Sequence, residues 1–213
     1  MLWVVCANLL SLHSLSGSEL RQTGRVHYMS EGSEKLPIPA KTLKQLVFKF
    51  AESFAKALGF GVGDPLEPLV ARLGGSISYK GNTQLFNGIP ESIKVLSSNS
   101  FTIYLPVNTC QERDRFTIAH ELGHLFLHYP LVQRAYGAHV IMTATRWVDS
   151  ANVDLQRTEW EANWFAAAFL MPEFEFRQSC VTNAASSHLI AARFGVTEKA
   201  VEVRAKALGL VLL

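Results

Sequence analysis

The stretch His120-Glu121-Leu122-Gly123-His124 sets two imidazoles and a carboxylate in the order H-E-x-x-H. On a helix, residues i and i+4 lie one turn apart on the same face, so both rings can reach a single cation. Glu121 is rotated by ~100° from His120 and stands beside such a cation rather than on it. A carboxylate there can take a proton from water whose pKa the cation lowers toward ~7. Neutral imidazole with carboxylate favours zinc, with manganese or iron as alternatives. The pattern points to metal-assisted hydrolysis, with His120 and His124 as ligands and Glu121 as catalytic base.

A hydrolytic zinc site needs a third protein ligand and one open position. His128 is one candidate, but an ideal helix puts it ~12 Å along the axis from His120, too far to share a tetrahedral ion. It reads instead as a helix-end histidine near the C-terminal dipole. A metzincin continuation needs glycine and histidine where this chain has Leu127 and Pro130, so that class is rejected. The other candidates are carboxylates in E-W-E-A-N-W-F-A-A-A-F-L-M-P, from Glu159 to Pro172. Glu159, Ala162, Asn163 and Ala166 share one helical face. The small alanines allow a close approach to the His120 helix, and Asn163 can hold the second nitrogen of a ligand histidine. Glu161 shares a different face with Trp164, Phe165 and Ala168. Glu159 is the preferred third ligand and Glu161 the reserve; taken alone, either is simply an acid suited to a first helical turn.

The elements that must position these groups are partly legible. Apolar residues from Leu43 to Leu58 recur at helical spacing and predict a helix over Pro39–Leu58, stopped by Gly59. A short helix follows, with Asp64 as N-cap and Pro65 in its first turn. Ser76–Lys80, Ser92–Leu96 and Phe101–Leu105 read as three short strands of a small antiparallel sheet. Thr109-Cys110-Gln111-Glu112 is a capping box opening a helix that runs to His128 and ends at Tyr129-Pro130. Leu131–Val153 has weak periodicity; a loop of that length is usually functional or partly structured. Within it Tyr136, His139 and Arg146 are candidate oxyanion stabilisers. A long helix spans Leu155–Met171, and shorter ones Ala184–Phe194 and Glu198–Leu208.

With 48% apolar and 18% charged residues, the 213-residue chain is too apolar to be disordered and long enough for a core of its own. A formal net charge of +2 argues against a strongly electrostatic nucleic-acid or membrane partner. Cys6, Cys110 and Cys180 are widely spaced and odd in number. This favours a reducing cytosol over a disulfide framework, with Cys110 and Cys180 as buried thiols. No apolar run reaches the ~20 residues of a membrane span. The apolar opening lacks the basic start of a signal peptide, since Arg21 is the first positive side chain. Residues 1–32 read as a poorly ordered extension, with Met29 a candidate functional start, and residues 33–213 as one domain.

Arg115–His124, R-F-T-I-A-H-E-L-G-H, followed by E-x-E-A-N-x-F-A-A-x-x-L-M-P over Glu159–Pro172, resembles the ImmA/IrrE-type metallopeptidases. The resemblance spans Lys41 to Leu210. It implies an α+β fold with a zincin-like helical core, a small sheet and a C-terminal helical pair. It also implies a gluzincin-like metal site on His120, His124 and Glu159, with Glu121 as base. Members act in bacteria and their mobile elements, where they promote cleavage or inactivation of helix-turn-helix repressors. A transcriptional repressor is therefore the implied protein substrate, and zinc the implied metal.

Residues 184–208 look like a helix-turn-helix, yet the second helix opens with Glu198-Lys199-Ala200-Val201-Glu202, where DNA readers favour basic and amide side chains. Packing against the core is the better reading. The alternative to a peptidase is a non-catalytic metal-binding regulator that binds a repressor or DNA. Glu121 favours the peptidase, because a purely structural site has no need of a general base.

Overall fold

Val47, Phe50, Ala51, Phe54 and Ala55 line the buried stripe of the first helix, α1 (Lys44–Ala57). It starts at Lys44 rather than Pro39 because Lys41 takes a left-handed φ of 51° and Leu43 is extended. The computed structural model describes residues 33–79, 85–86 and 89–212. Glu34–Leu213 form one compact unit. The expected extension over residues 1–32 lies outside the described residues.

The short helix α2 (Glu67–Arg72) begins after Leu66, not at Asp64. The Asp64 carboxylate instead accepts from the Gly61 N–H at 2.7 Å and closes the preceding turn.

The strands are β1 (Glu34–Lys35), β2 (Gly75–Tyr79), β3 (Leu85–Phe86), β4 (Ile89–Ser97), β5 (Ser100–Leu105) and β6 (Ile141–Thr145). Their order is β1-β6-β4-β5-β2, with β3 paired to β4. β4 is antiparallel to β3, β5 and β6, whereas β1–β6 and β2–β5 are parallel. The expected three-stranded antiparallel sheet is thus corrected to a wider, mixed one. β6 escaped notice because its last four residues are all buried, which erases the alternation that marks a half-exposed strand.

Helix α3 (Gln111–Gly123) carries the first motif. It has no side-chain cap, so the expected capping box is absent: Thr109 bonds the Asp114 side chain instead. The helix does not end at Tyr129-Pro130. It passes through a π turn, His124–His128, in which the Tyr129 N–H bonds the His124 carbonyl, and continues as α4 (Tyr129–Tyr136). A proline collides with the carbonyl four residues back, and the widened turn gives that carbonyl room.

Helix α5 (Val153–Leu170) is capped by Asn152, whose side chain accepts from the Leu155 N–H at 3.0 Å. Pro172 ends α5 but also opens α6 (Glu173–Thr182), a helix the sequence reading missed. α7 (Ser187–Phe194) and α8 (Glu198–Ala207) are capped by Ser186 and Thr197. α7 starts late because Ala184 and Ala185 both have positive φ.

Two features lock the helices together. A Cβ placed on Gly123 would lie 3.0 Å from Ala162 Cα and 3.2 Å from its carbonyl oxygen, so α3 and α5 meet backbone to backbone. Beside this contact Phe54, Phe126, Phe165 and Phe169 pack ring on ring; the Phe54–Phe126 centroids are 4.2 Å apart. Arg204 on α8 is fully buried. It donates to the Met171 carbonyl at 3.0 Å and to Glu52 on α1 at 2.8 Å, and its guanidinium stacks over Phe48. Both cysteine expectations need adjusting. Cys110 is exposed at the N-cap of α3 and Cys180 is half-buried on α6.

Gly123→Val should destabilise the fold by about 1–3 kcal/mol, because the added branches force the α3 and α5 backbones apart. Urea unfolding of the variant against the parent checks this.

Candidate metal centre

His120 and His124 leave the end of α3 on one face, and Glu159 faces them from α5. His120 Nε2 and His124 Nε2 are 3.1 Å apart. Glu159 places Oε2 at 3.2 Å from His120 Nε2 and Oε1 at 3.2 Å from His124 Nε2. Donors bound to one tetrahedral zinc at ~2.0–2.1 Å sit ~3.3 Å from each other; the His120–His124 distance and each imidazole's distance to one Glu159 oxygen are of that length. Among the described residues, these three form the His, Cys, Asp and Glu group close enough to share a metal. The His124 side chain is fully buried and that of Glu159 is 28% exposed, so the cluster is closed behind and open at the Glu159 side.

The electrostatics of the chain alone are those of an electron-rich pocket. Burial opposes charging His120, but the Glu159 hydrogen bond and the Glu121 and Glu159 charges outweigh it, raising its pKa to about 9. Burial holds His124 down at about 4 despite Glu159. Glu159 remains ionised well below the usual carboxylate range: burial works against this, and the bonds from His120 and His124 prevail. The pocket thus draws a proton to the place where a cation fits.

Asn163 Oδ1 lies 3.0 Å from His120 Nδ1, which leaves His120 Nε2 free to face the cluster. Glu121 is 2% exposed. Burial lifts its pKa to about 7 and the Glu159 charge adds to that, while His120, Ser92 and Arg146 pull the other way. Ser92 Oγ donates to Glu121 Oε2 at 3.1 Å. The pairing of β4 with β6 slips between Glu91 and Ile93, so Ser92 sits in a bulge, a device that re-aims a side chain. Sequence reasoning placed Ser92 in a strand but had no signal for the bulge or for its hydroxyl.

Of the three loop candidates, Arg146 comes toward the site. It bonds the Glu91 and Tyr104 carbonyls, and its charge reaches Glu121. Tyr136 and His139 are exposed, and among the described residues neither hydrogen-bonds to the cluster; Tyr136 lies under Lys35. Glu161 is turned away from the cluster and faces His128. The helix-end reading of His128 is corrected. The helix continues beyond it, and His128 is fully buried against His124 and Glu161.

Two histidines and a buried carboxylate on one continuous helical stretch, joined by a glutamate from a neighbouring helix, stand in a mixed α+β domain. The chain belongs to the family of the IrrE N-terminal-like domain (Peptidase_M78), whose model matches residues 86–206, more than half its length. A solved structure of a Mycobacterium tuberculosis transcriptional regulator shares the fold, with a TM-score of 0.51 and 19% identity over 75% of this chain. The match covers 46% of that longer chain. No curated protein matches in sequence.

Glu159→Ala should weaken zinc binding by more than ~100-fold, beyond the 10–100-fold typical when an outer partner of a metal ligand is removed. Competition against a chromogenic chelator measures it.

Proposed function

We propose that this chain is a zinc-dependent endopeptidase that hydrolyses a peptide bond in a regulatory protein, with a helix-turn-helix transcriptional repressor as substrate. The observation that carries the reading is Glu121, a buried carboxyl beside three convergent metal donors with its pKa raised to about 7. A base is most effective when its pKa lies near the working pH. His120, His124 and Glu159 would hold the ion. When bound, zinc supplies a Lewis acid that polarises the scissile carbonyl and makes water more acidic.

Glu121 takes the proton from the attacking water as the carbon–oxygen bond forms. It then delivers that proton to the amine as the carbon–nitrogen bond breaks. Ser92 fixes the carboxylate by donating to Oε2, which leaves Oε1 for the water. The open Glu159 side is where a peptide would enter. Arg146 keeps positive charge near Glu121 and favours its ionised, proton-accepting form.

The second reading is a non-catalytic metal-binding regulator that binds a repressor or DNA. The transcriptional regulator sharing this fold favours it. Against DNA contact, Arg204 is committed to the core and Lys199 is paired with Glu202 at 2.9 Å. The setting proposed with this function is the cytoplasm; among the described residues no helix is long and apolar enough to cross a membrane.

Glu121→Gln should retain zinc yet lose cleavage of the repressor, read on gels with metal content measured in parallel; undiminished cleavage would remove Glu121 from the mechanism. In the parent protein kcat/KM should fall on the acid side at a pH no higher than about 7. The sign follows because protonated Glu121 cannot accept a proton, and a nearby cation only lowers its pKa. A salt titration of duplex DNA binding separates the two readings: tight, salt-sensitive binding supports the regulator.

A further inference from the structure

A second line of buried groups runs back from the cluster. His124, His128 and Glu161 each have no exposed surface. His124 Nδ1 lies 3.0 Å from His128 Nδ1, and His128 Nε2 lies 3.2 Å from Glu161 Oε2. Glu161 also accepts from the Ala40 N–H at 2.8 Å and from Arg157 Nε at 2.9 Å. Arg157 in turn bonds the Thr42 carbonyl, tying the line to the segment that leads into α1.

The proton positions follow by elimination. Glu161 is met by the Ala40 N–H and by the Arg157 guanidinium, both donors, so its carboxylate accepts. An ionised carboxylate only accepts, so His128 Nε2 must carry a proton. The two Nδ1 atoms face each other at hydrogen-bond distance, so one must donate and the other accept. When His124 Nε2, which faces Glu159 and His120, is given to a metal, the shared proton lies on His124 Nδ1 and His128 Nδ1 accepts it.

We infer that Glu161 and His128 are positioning residues: a carboxylate acting through a second imidazole sets the tautomer and ring orientation of His124, so that Nε2 is presented to the metal. The inference rests on reading His120, His124 and Glu159 as the metal site. The two ligand histidines are held differently. His120 leans on the amide of Asn163, an exposed residue, whereas His124 is backed by a buried anion with no access to water. Such support orients a ligand and raises its basicity. The π turn makes it possible by bringing His128 back over the His124 ring.

The test uses the full chain with three substitutions: His128→Leu, His128→Gln and Glu161→Gln. Glutamine at 128 can accept from His124 through its oxygen and donate to Glu161 through its nitrogen, preserving the direction of the line. Zinc affinity is read by chelator competition, and ligand geometry by the visible spectrum of the Co(II)-loaded protein. Circular dichroism confirms folding.

His128→Leu and Glu161→Gln should bind zinc about 10–100-fold more weakly with altered Co(II) bands, while His128→Gln stays near the parent. If His128→Leu does not fold, Glu161→Gln against His128→Gln decides. Parent-like affinity and bands in the folded disrupted variants overturn the inference. Equal losses in the Leu and Gln variants at 128 overturn it too, by marking a packing role. A parent protein that binds no zinc overturns the metal-site reading itself, and this inference with it.

Discussion

The contact on which the rest depends is the meeting of Gly123 and Ala162. Three donor atoms can share one ion only when they lie ~3 Å apart. Two of them come from the end of α3 and the π turn that follows it, and the third from α5, so the helices must approach more closely than side chains normally allow. Gly123 supplies no Cβ, and Ala162 supplies the least that a chiral residue can. The aromatic cluster of Phe54, Phe126, Phe165 and Phe169 holds that approach from the core side, where close packing leaves little room for either helix to drift.

Three glutamates within this small region are driven to different states. Glu121 is buried among few donors, and its pKa rises. Glu159 faces two imidazoles and Glu161 meets an imidazole, a guanidinium and a backbone N–H, and both stay ionised. Burial pushes all three the same way. What separates them is the number of hydrogen-bond donors the fold provides, one hydroxyl for Glu121 against several for the others. In the proposed mechanism, proton transfer and charge-holding thereby fall to different carboxylates by backbone placement, since the residue type is the same.

The C-terminal helices illustrate how a pattern can suggest one role and be used for another. α7 and α8 have the spacing of a helix-turn-helix, but Arg204 points inward and joins α8 to α1 and to the end of α5. Arg115 on α3 reaches across to the Phe194 carbonyl at the end of α7. The pair therefore buttresses the helices that carry the site.

The sequence by itself determined the two motifs, the long helices beneath them and the faces on which His120, His124, Glu159 and Asn163 would stand. Those are consequences of local periodicity, which a helix preserves whatever surrounds it. It also pointed to Ala162 as small for a reason, though not to Gly123 as its counterpart. Only the tertiary structure decided the rest. The parallel pairings of β1 and β2, and β6 with its buried run, depend on partners distant in sequence. The bulge that turns Ser92 onto Glu121 is a property of strand register, which no single strand displays. His128 was misjudged because the helix was expected to stop at Tyr129-Pro130; it continues through a π turn, and His128 is seated between His124 and Glu161. Local spacing fixes which residues share a face; only long-range contacts fix what that face meets.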